Sequence, residues 1–175
     1  MPKVDRNGQA SIWENEAQFL AVLAEMPPAP AAVMMVCYYT CCRVGEAVQL
    51  RREDIVNGAI VFRKDTTKTK QSRSVPLNRK LLPVLEQLPT QGYLFPGRKG
   101  HLTTRAVDKA LRIACDRLGL AGFSTHSNRR TAATRLSQSQ PLKVVQEIGG
   151  WSQLGALQRY LEVSEEQKRG AIDLL

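Results

Sequence analysis

The segment PAPAAVMMVCYYTCC, residues 28–42, is apolar over almost its whole length. Pro30 suits the first turn of a helix that continues to about Cys42. A helix that is apolar on every face belongs in a protein core. The run is shorter than the ~18–20 apolar residues that a membrane-spanning helix requires. We therefore expect a globular chain without a membrane span, folded around a buried helix.

Cysteines are concentrated in the same run, where Cys37 and Cys41 lie four positions apart. A zinc site requires paired spacings with histidines nearby, and this run supplies none. Small buried thiols in a reducing compartment are the better interpretation for all four cysteines, which are Cys37, Cys41, Cys42 and Cys115.

The remaining patterns are mostly helical. Ser11 and Glu14 form a capping box that predicts the start of a first helix. GEAVQLRRED predicts a short amphipathic helix, and further helices are expected at 78–88, 103–119, 127–138, 141–148, 153–161 and 165–174. NGAIVFRK predicts a strand that returns through TTKTKQSRSVPL, and LPTQGYLFPGRKGHL predicts a loop. The expected fold class is α+β, mainly helical, with one small antiparallel sheet.

The chain is strongly basic, with 25 Lys and Arg against 16 Asp and Glu and a net charge of +9. Residues 63–80, which include the expected hairpin, hold seven Lys and Arg and one acid. Such a field favours a polyanionic partner, first nucleic acid and second an anionic membrane, although a basic protein without such a partner is the alternative. The polar N-terminus does not have the features of a signal peptide, so we expect a cytoplasmic protein.

His126 and Arg129 lie three positions apart in HSNRR and would share one helix face. An imidazole beside a guanidinium suits a phosphate group, but a solvated helix face is the simpler reading of this motif alone. Other residues add to it. Arg43 precedes Glu46 by three positions, and Trp151 follows a Gly-Gly turn nine residues before Tyr160.

In this order Arg43, a hairpin lysine, His126 with Arg129, Trp151 and Tyr160 resemble the tyrosine recombinase (phage integrase) family. The resemblance runs from Ser11 to the end and implies a site-specific DNA recombinase. Such an enzyme cleaves and rejoins double-stranded DNA through a 3′-phosphotyrosine. It uses no metal and no other cofactor, because the phosphotyrosine conserves the energy of the broken bond. The resemblance also implies a homo-oligomer on DNA, a tetrameric synapse.

The resemblance assigns a role to each of these positions. Arg43 and Arg129 would neutralise the scissile phosphate, with Glu46 as a supporting residue. Tyr160 would be the nucleophile, and His126 the main candidate for acid–base work. Trp151, as in Cre-like members, occupies a position where most members have His, and its indole donates a hydrogen bond but cannot move a proton.

The lysine of the hairpin is less well fixed, because both Lys68 and Lys70 are available. In the family the catalytic lysine usually stands eight residues before the Pro of VPL. Counting back from Pro76 gives Lys68, which would protonate the leaving 5′-oxygen.

Two residues of the same helix depart from the family pattern, Arg130 in place of His and Asn128 in place of Leu. We also expect the N-terminal core-binding domain of the family to be absent and residues 1–175 to be a single catalytic domain. Its core begins at about residue 11, and 164–175 is a tail helix. The chain would be either a fragment or a minimal recombinase. A type IB topoisomerase-like enzyme and a catalytically silent DNA-binding relative are the alternative functions.

Overall fold

The computed structural model describes residues 10–98, 100–159, 161, 163 and 165–175. The helices are α1 (Glu16–Ala24), α2 (Pro28–Thr40), α3 (Val44–Ala47), α4 (Leu82–Glu86), α5 (Thr104–Arg117), α6 (His126–Ser137), α7 (Leu142–Gly149), α8 (Leu154–Gln158) and α9 (Glu165–Ile172). The strands are β1 (Ile55–Val56), β2 (Ala59–Phe62), β3 (Arg73–Pro76), β4 (Pro96–Gly97) and β5 (Gly100–His101). The mainly helical α+β class is confirmed.

The apolar helix α2 is the centre of the fold, as its composition predicts. It packs against α1, α3, α5 and α6, and its side chains at Val33, Met34, Val36 and Cys37 have no exposed surface. All four cysteines are free and buried, which confirms their prediction as thiols. Among the described residues, no helix combines the length and the apolar character that crossing a bilayer would require.

The three-stranded sheet has the order β1-β2-β3 with antiparallel neighbours. Asn57 and Gly58 both have positive φ angles, and they form the turn that joins β1 to β2. In the second hairpin Ile60 lies opposite Val75 and Phe62 opposite Arg73. The connection between β2 and β3, residues 63–72, is the lysine-bearing loop.

Three local predictions are wrong. Helix α1 begins after Asn15, whose side chain accepts a hydrogen bond from the Gln18 N–H at 2.8 Å, and not at Ser11. The predicted capping box of Ser11 and Glu14 fails because the Ser11 N–H donates to the Gly122 carbonyl at 2.8 Å, which ties this segment to the core. GEAVQLRRED is not one helix, since α3 ends at Ala47 and a separate 3₁₀ turn spans Arg52–Asp54.

The third error concerns LPTQGYLFPGRKGHL, residues 88–102, which were expected to be a loop. They contain a second sheet, the two-stranded ladder of β4 and β5. Its strands have only two residues each, too short for a period-2 pattern to appear in the sequence.

The segment before α1 is held by a buried polar network that includes Asn128, a departure from the family pattern. The Trp13 indole N–H donates to Asn128 Oδ1 at 2.7 Å, and Asn128 Nδ2 donates to the Met34 carbonyl at 2.7 Å. Arg130, the other departure, donates from Nη1 to the Ala10 carbonyl at 2.5 Å. Asn128 and Arg130 therefore hydrogen-bond the segment before α1 to α6.

Candidate active site

Five of the predicted site residues, Glu46 among them, line one cavity of about 390 Å³. The cavity lies between the start of α3, the loop 63–72 and the start of α6. Arg43, Lys68, His126 and Arg129 line it, together with Lys70. Residues that are far apart in the sequence are therefore brought around a single space whose charged lining is mainly basic.

Arg43 reaches this cavity from the N-cap of α3. Its backbone N–H donates to Glu46 Oε2 at 2.8 Å, and its Nη1 lies 3.4 Å from Glu46 Oε1. The Arg43 side chain is 26% exposed, whereas that of Glu46 is 2% exposed. The carboxylate thus fixes the backbone of Arg43 closely and its guanidinium only loosely, which leaves that guanidinium open to the cavity.

A residue that the sequence reasoning missed, Arg73, is the principal partner of Glu46. Its Nη2 and Nη1 donate to the two carboxylate oxygens at 2.8 and 3.2 Å. Burial opposes ionisation of Glu46, but the hydrogen bonds and charge of Arg73 and the Arg43 N–H outweigh it and lower the pKa. The available signal was strand alternation, since Arg73 shares a face of β3 with buried Val75.

Arg129 is 1% exposed and is held by the ends of two helices. Its Nη1 donates to the Cys41 carbonyl at 2.6 Å and to the Gly149 carbonyl at 2.8 Å. Cys41 is the C-cap of α2, with φ at 56°, and Gly149 is the last residue of α7. The guanidinium also stacks on Trp151, with its carbon 3.8 Å from the ring centroid. Trp151 therefore positions Arg129 directly.

The Gly-Gly pair before Trp151 is required by close packing. A Cβ at Gly149 would lie 1.8 Å from the Trp151 ring. Gly150 has φ at +69°, and a Cβ there would lie 2.9 Å from Cδ and Nη1 of Arg73. The turn predicted from these glycines is confirmed, and both positions exclude a larger side chain.

His126 is the first residue of α6, and it lines the cavity while much of its side chain faces solvent. Partial burial and the neighbouring Arg129 and Arg43 charges lower its pKa below 6.5. The imidazole is therefore neutral at pH 7 and able to accept a proton.

The loop 63–72 is braced by Thr67, which is 2% exposed. The Thr67 hydroxyl donates to the Gln71 carbonyl at 2.9 Å, and its oxygen also lies 3.2 Å from the Lys64 carbonyl oxygen. Lys68 and Lys70 lie between Thr67 and Gln71, and both are exposed and line the cavity. The geometry thus admits either lysine.

Tyr160, the predicted nucleophile, lies outside the described residues, as does Ser164 at the start of the predicted tail helix. Helix α8 ends at Gln158, and its Leu157 is fully buried in one apolar cluster with Trp151. Leu157, three positions before Tyr160 in the sequence, therefore belongs to the same apolar cluster as the residue that stacks on Arg129.

The lowered pKa of Glu46 predicts a pH dependence of stability. The unfolded carboxyl titrates near 4.5 and the folded one lower, so its contribution is complete above 4.5 and is lost as the pH falls through the folded pKa. Glu46→Gln should reduce the free energy of unfolding by about 3 kcal/mol at pH 7 and flatten its decline below pH 4.5.

Urea unfolding at a series of pH values measures this dependence. The control is Glu86→Gln, which removes an exposed carboxylate of α4. A Glu46→Gln profile parallel to that of the wild type would contradict the assignment.

Comparison with known proteins identifies the family of the chain. The model of the phage integrase family matches residues 14–167. A putative integrase/recombinase, y4qK, of Sinorhizobium fredii is 34% identical over 76% of this chain and 46% of its own length. Tyrosine recombinase XerC of Bradyrhizobium diazoefficiens is 31% identical over 78% of this chain and 46% of its own. The chain thus spans about half the length of these relatives.

The fold also matches a solved structure, that of XerH site-specific recombinase bound to its difH substrate in a pre-cleavage complex. The TM-score is 0.72 with 21% identity, over 97% of this chain and 59% of XerH. With the family model matching most of the sequence, the chain belongs to the phage integrase (tyrosine recombinase) family.

Proposed function

We propose that this chain is the catalytic domain of a site-specific recombinase that cleaves and rejoins double-stranded DNA through a 3′-phosphotyrosine. The observation that carries the proposal is the shared cavity, which places Arg43, Arg129, His126 and two lysines around one space. Family membership and the net charge of +9 support DNA as the substrate.

In the proposed reaction the Tyr160 oxygen attacks the scissile phosphorus, and the bond to the 5′-oxygen breaks. His126, neutral at pH 7, takes the phenolic proton, and a hairpin lysine gives a proton to the leaving oxygen. Arg43 and Arg129 stabilise the charge that develops on the non-bridging oxygens. Attack by a 5′-hydroxyl on the phosphotyrosine reverses these steps and rejoins a strand, so no external energy source is needed.

Replacement of the nucleophile tests the reaction. Wild-type chain mixed with nicked duplexes of randomised sequence should give a covalent protein–DNA band in a denaturing gel. Tyr160→Phe should give none, because the attacking oxygen is missing, while its DNA affinity in a retardation assay stays within about twofold, since affinity comes from many phosphate contacts.

A covalent band with Tyr160→Phe would move the nucleophile elsewhere. Binding without a band in the wild type would favour the catalytically silent relative. Relaxation of supercoiled plasmid without strand exchange would favour the topoisomerase-like activity.

The two lysines can be separated by changing the leaving group. Lys68→Ala should slow cleavage of an ordinary strand by about 100-fold, as expected for loss of a general acid. With sulfur as the 5′-bridging atom the leaving thiolate needs no proton, so the defect should nearly disappear. Lys70→Ala is the matched control from the same loop. If only Lys70→Ala shows this pattern, the acid is Lys70.

We also propose that copies of this chain associate on DNA through the tail, as a tetrameric synapse by resemblance to the family. In the described part of the tail, α9 buries no side chain. Ile172, Leu174 and Leu175 are 67%, 87% and 104% exposed. An amphipathic end that finds no packing on its own domain is suited to a second copy.

Deletion of residues 165–175 should leave a folded, DNA-binding monomer that no longer associates on DNA with paired sites. Sedimentation of the protein–DNA complexes gives the number of copies bound. The control is Lys168→Ala, which alters the exposed polar face of α9 but keeps its apolar end. Equal assembly by the truncated and intact chains would rule out the tail contact.

A further inference from the structure

Arg73 is the most completely enclosed cation beside the cavity apart from Arg129, and no role follows for it from the proposed reaction. It is the first residue of β3, and its side chain is 9% exposed. Its guanidinium carbon lies 4.2 Å from the centroid of the Phe62 ring, across the strand pair. A cation held this far from water needs strong partners.

Those partners belong to two different parts of the site. Nη1 and Nη2 bind Glu46 of α3, while Nε donates to the Ile148 carbonyl at 3.0 Å near the end of α7. The Arg73 side chain also lies against Gly150 of the turn that leads to Trp151. One side chain therefore connects the segment that carries Arg43 with the segment that carries Trp151 and, through it, Arg129.

Arg73 and Arg43 share the Glu46 carboxylate unequally. Arg73 holds it through two bonds, whereas the Arg43 guanidinium makes a single contact at 3.4 Å. Without Arg73, the buried carboxylate would draw the Arg43 guanidinium toward itself. That movement would withdraw positive charge from the cavity, because Arg43 is the remaining described cation in direct contact with Glu46.

We propose that Arg73 is a positioning residue for strand cleavage, which satisfies Glu46 so that the Arg43 guanidinium stays directed at the scissile phosphate. The inference rests on the proposed function, and it assigns Arg73 no contact with DNA. Its contribution passes through Arg43, so it should be visible only where Arg43 has a charge to neutralise.

The variant Arg73→Gln tests this dependence on a duplex sequence recovered from the wild-type adducts. Single-turnover cleavage should slow by about 10- to 100-fold. This effect is no larger than the loss of rate that follows removal of a residue that itself donates to the transition state. DNA affinity should change little. On a methylphosphonate at the scissile position, which carries no negative charge, the defect should shrink to within about threefold. In an Arg43→Ala background, Arg73→Gln should cause no further slowing.

Arg52→Gln is the matched control. Arg52 also bonds backbone oxygens through its guanidinium, those of Leu85, Leu88 and Pro89 at 2.7, 2.9 and 2.8 Å. These partners lie in α4 and directly after it, not in the segments that carry Arg43 or Trp151. Its loss should affect stability and leave cleavage at the wild-type rate. Arg73→Lys, which keeps the charge, is used if Arg73→Gln does not fold, and it should retain part of the rate.

Binding of inorganic phosphate gives a second readout that does not require cleavage. Phosphate titrated into the full chain should shift the NMR signals of the His126 ring, and Arg73→Gln should weaken this binding on the order of tenfold. If the wild type binds phosphate but cleaves no DNA, the proposed function fails and the positioning role is still tested. Three results would overturn the inference. The first is that Arg73→Gln slows cleavage further in the Arg43→Ala background, and the second is that it slows cleavage of the methylphosphonate as much as that of the ordinary strand. The third is that it binds phosphate as tightly as Arg52→Gln does.

Discussion

The burial of the Arg129 guanidinium is the constraint on which the site depends. A cation withdrawn from water must be compensated, and here the carbonyl groups of Cys41 and Gly149 accept its hydrogen bonds. Both carbonyls stand at the C-terminal ends of helices, where the helix dipole favours positive charge. The path of the chain at the ends of α2 and α7 is therefore fixed by the same side chain that the proposed reaction uses.

A second buried charge organises the other side of the cavity. Glu46 neutralises Arg73 within the protein, while Arg43 remains 26% exposed. The balance matters electrostatically, because a guanidinium already fully paired has little affinity left for a phosphate. With Arg129 and Arg43 both close to His126, the free site also disfavours a third positive charge. An entering phosphate would offset part of this repulsion, and it would therefore stabilise the imidazolium that forms when His126 takes a proton.

Sequence patterns predicted those elements that are determined by residues close together in the sequence. The predicted helix 127–138 and the spacing of His126 and Arg129 led to the prediction that both residues share one helix face, and the helix that lines the cavity begins one residue earlier, at His126. Arg73 was missed because its partner Glu46 is 27 positions away and a side-chain pair of that kind leaves no periodicity. Ser11 was misread because a tertiary bond to Gly122 overrides its capping propensity. Lys68 and Lys70 share one exposed loop, so neither pattern nor geometry separates them.

The network around Trp13 has a mechanical consequence. Ala10, Ser11 and Trp13 are bonded to Arg130, Gly122, Asn128 and Thr131, three of which belong to α6. Residues 10–13 are therefore hydrogen-bonded directly to α6, the helix that begins with His126 and contains Arg129. A force that pulls on residue 10 would be transmitted to α6 by these hydrogen bonds. It would thus act on the helix that positions His126 and Arg129 at the cavity.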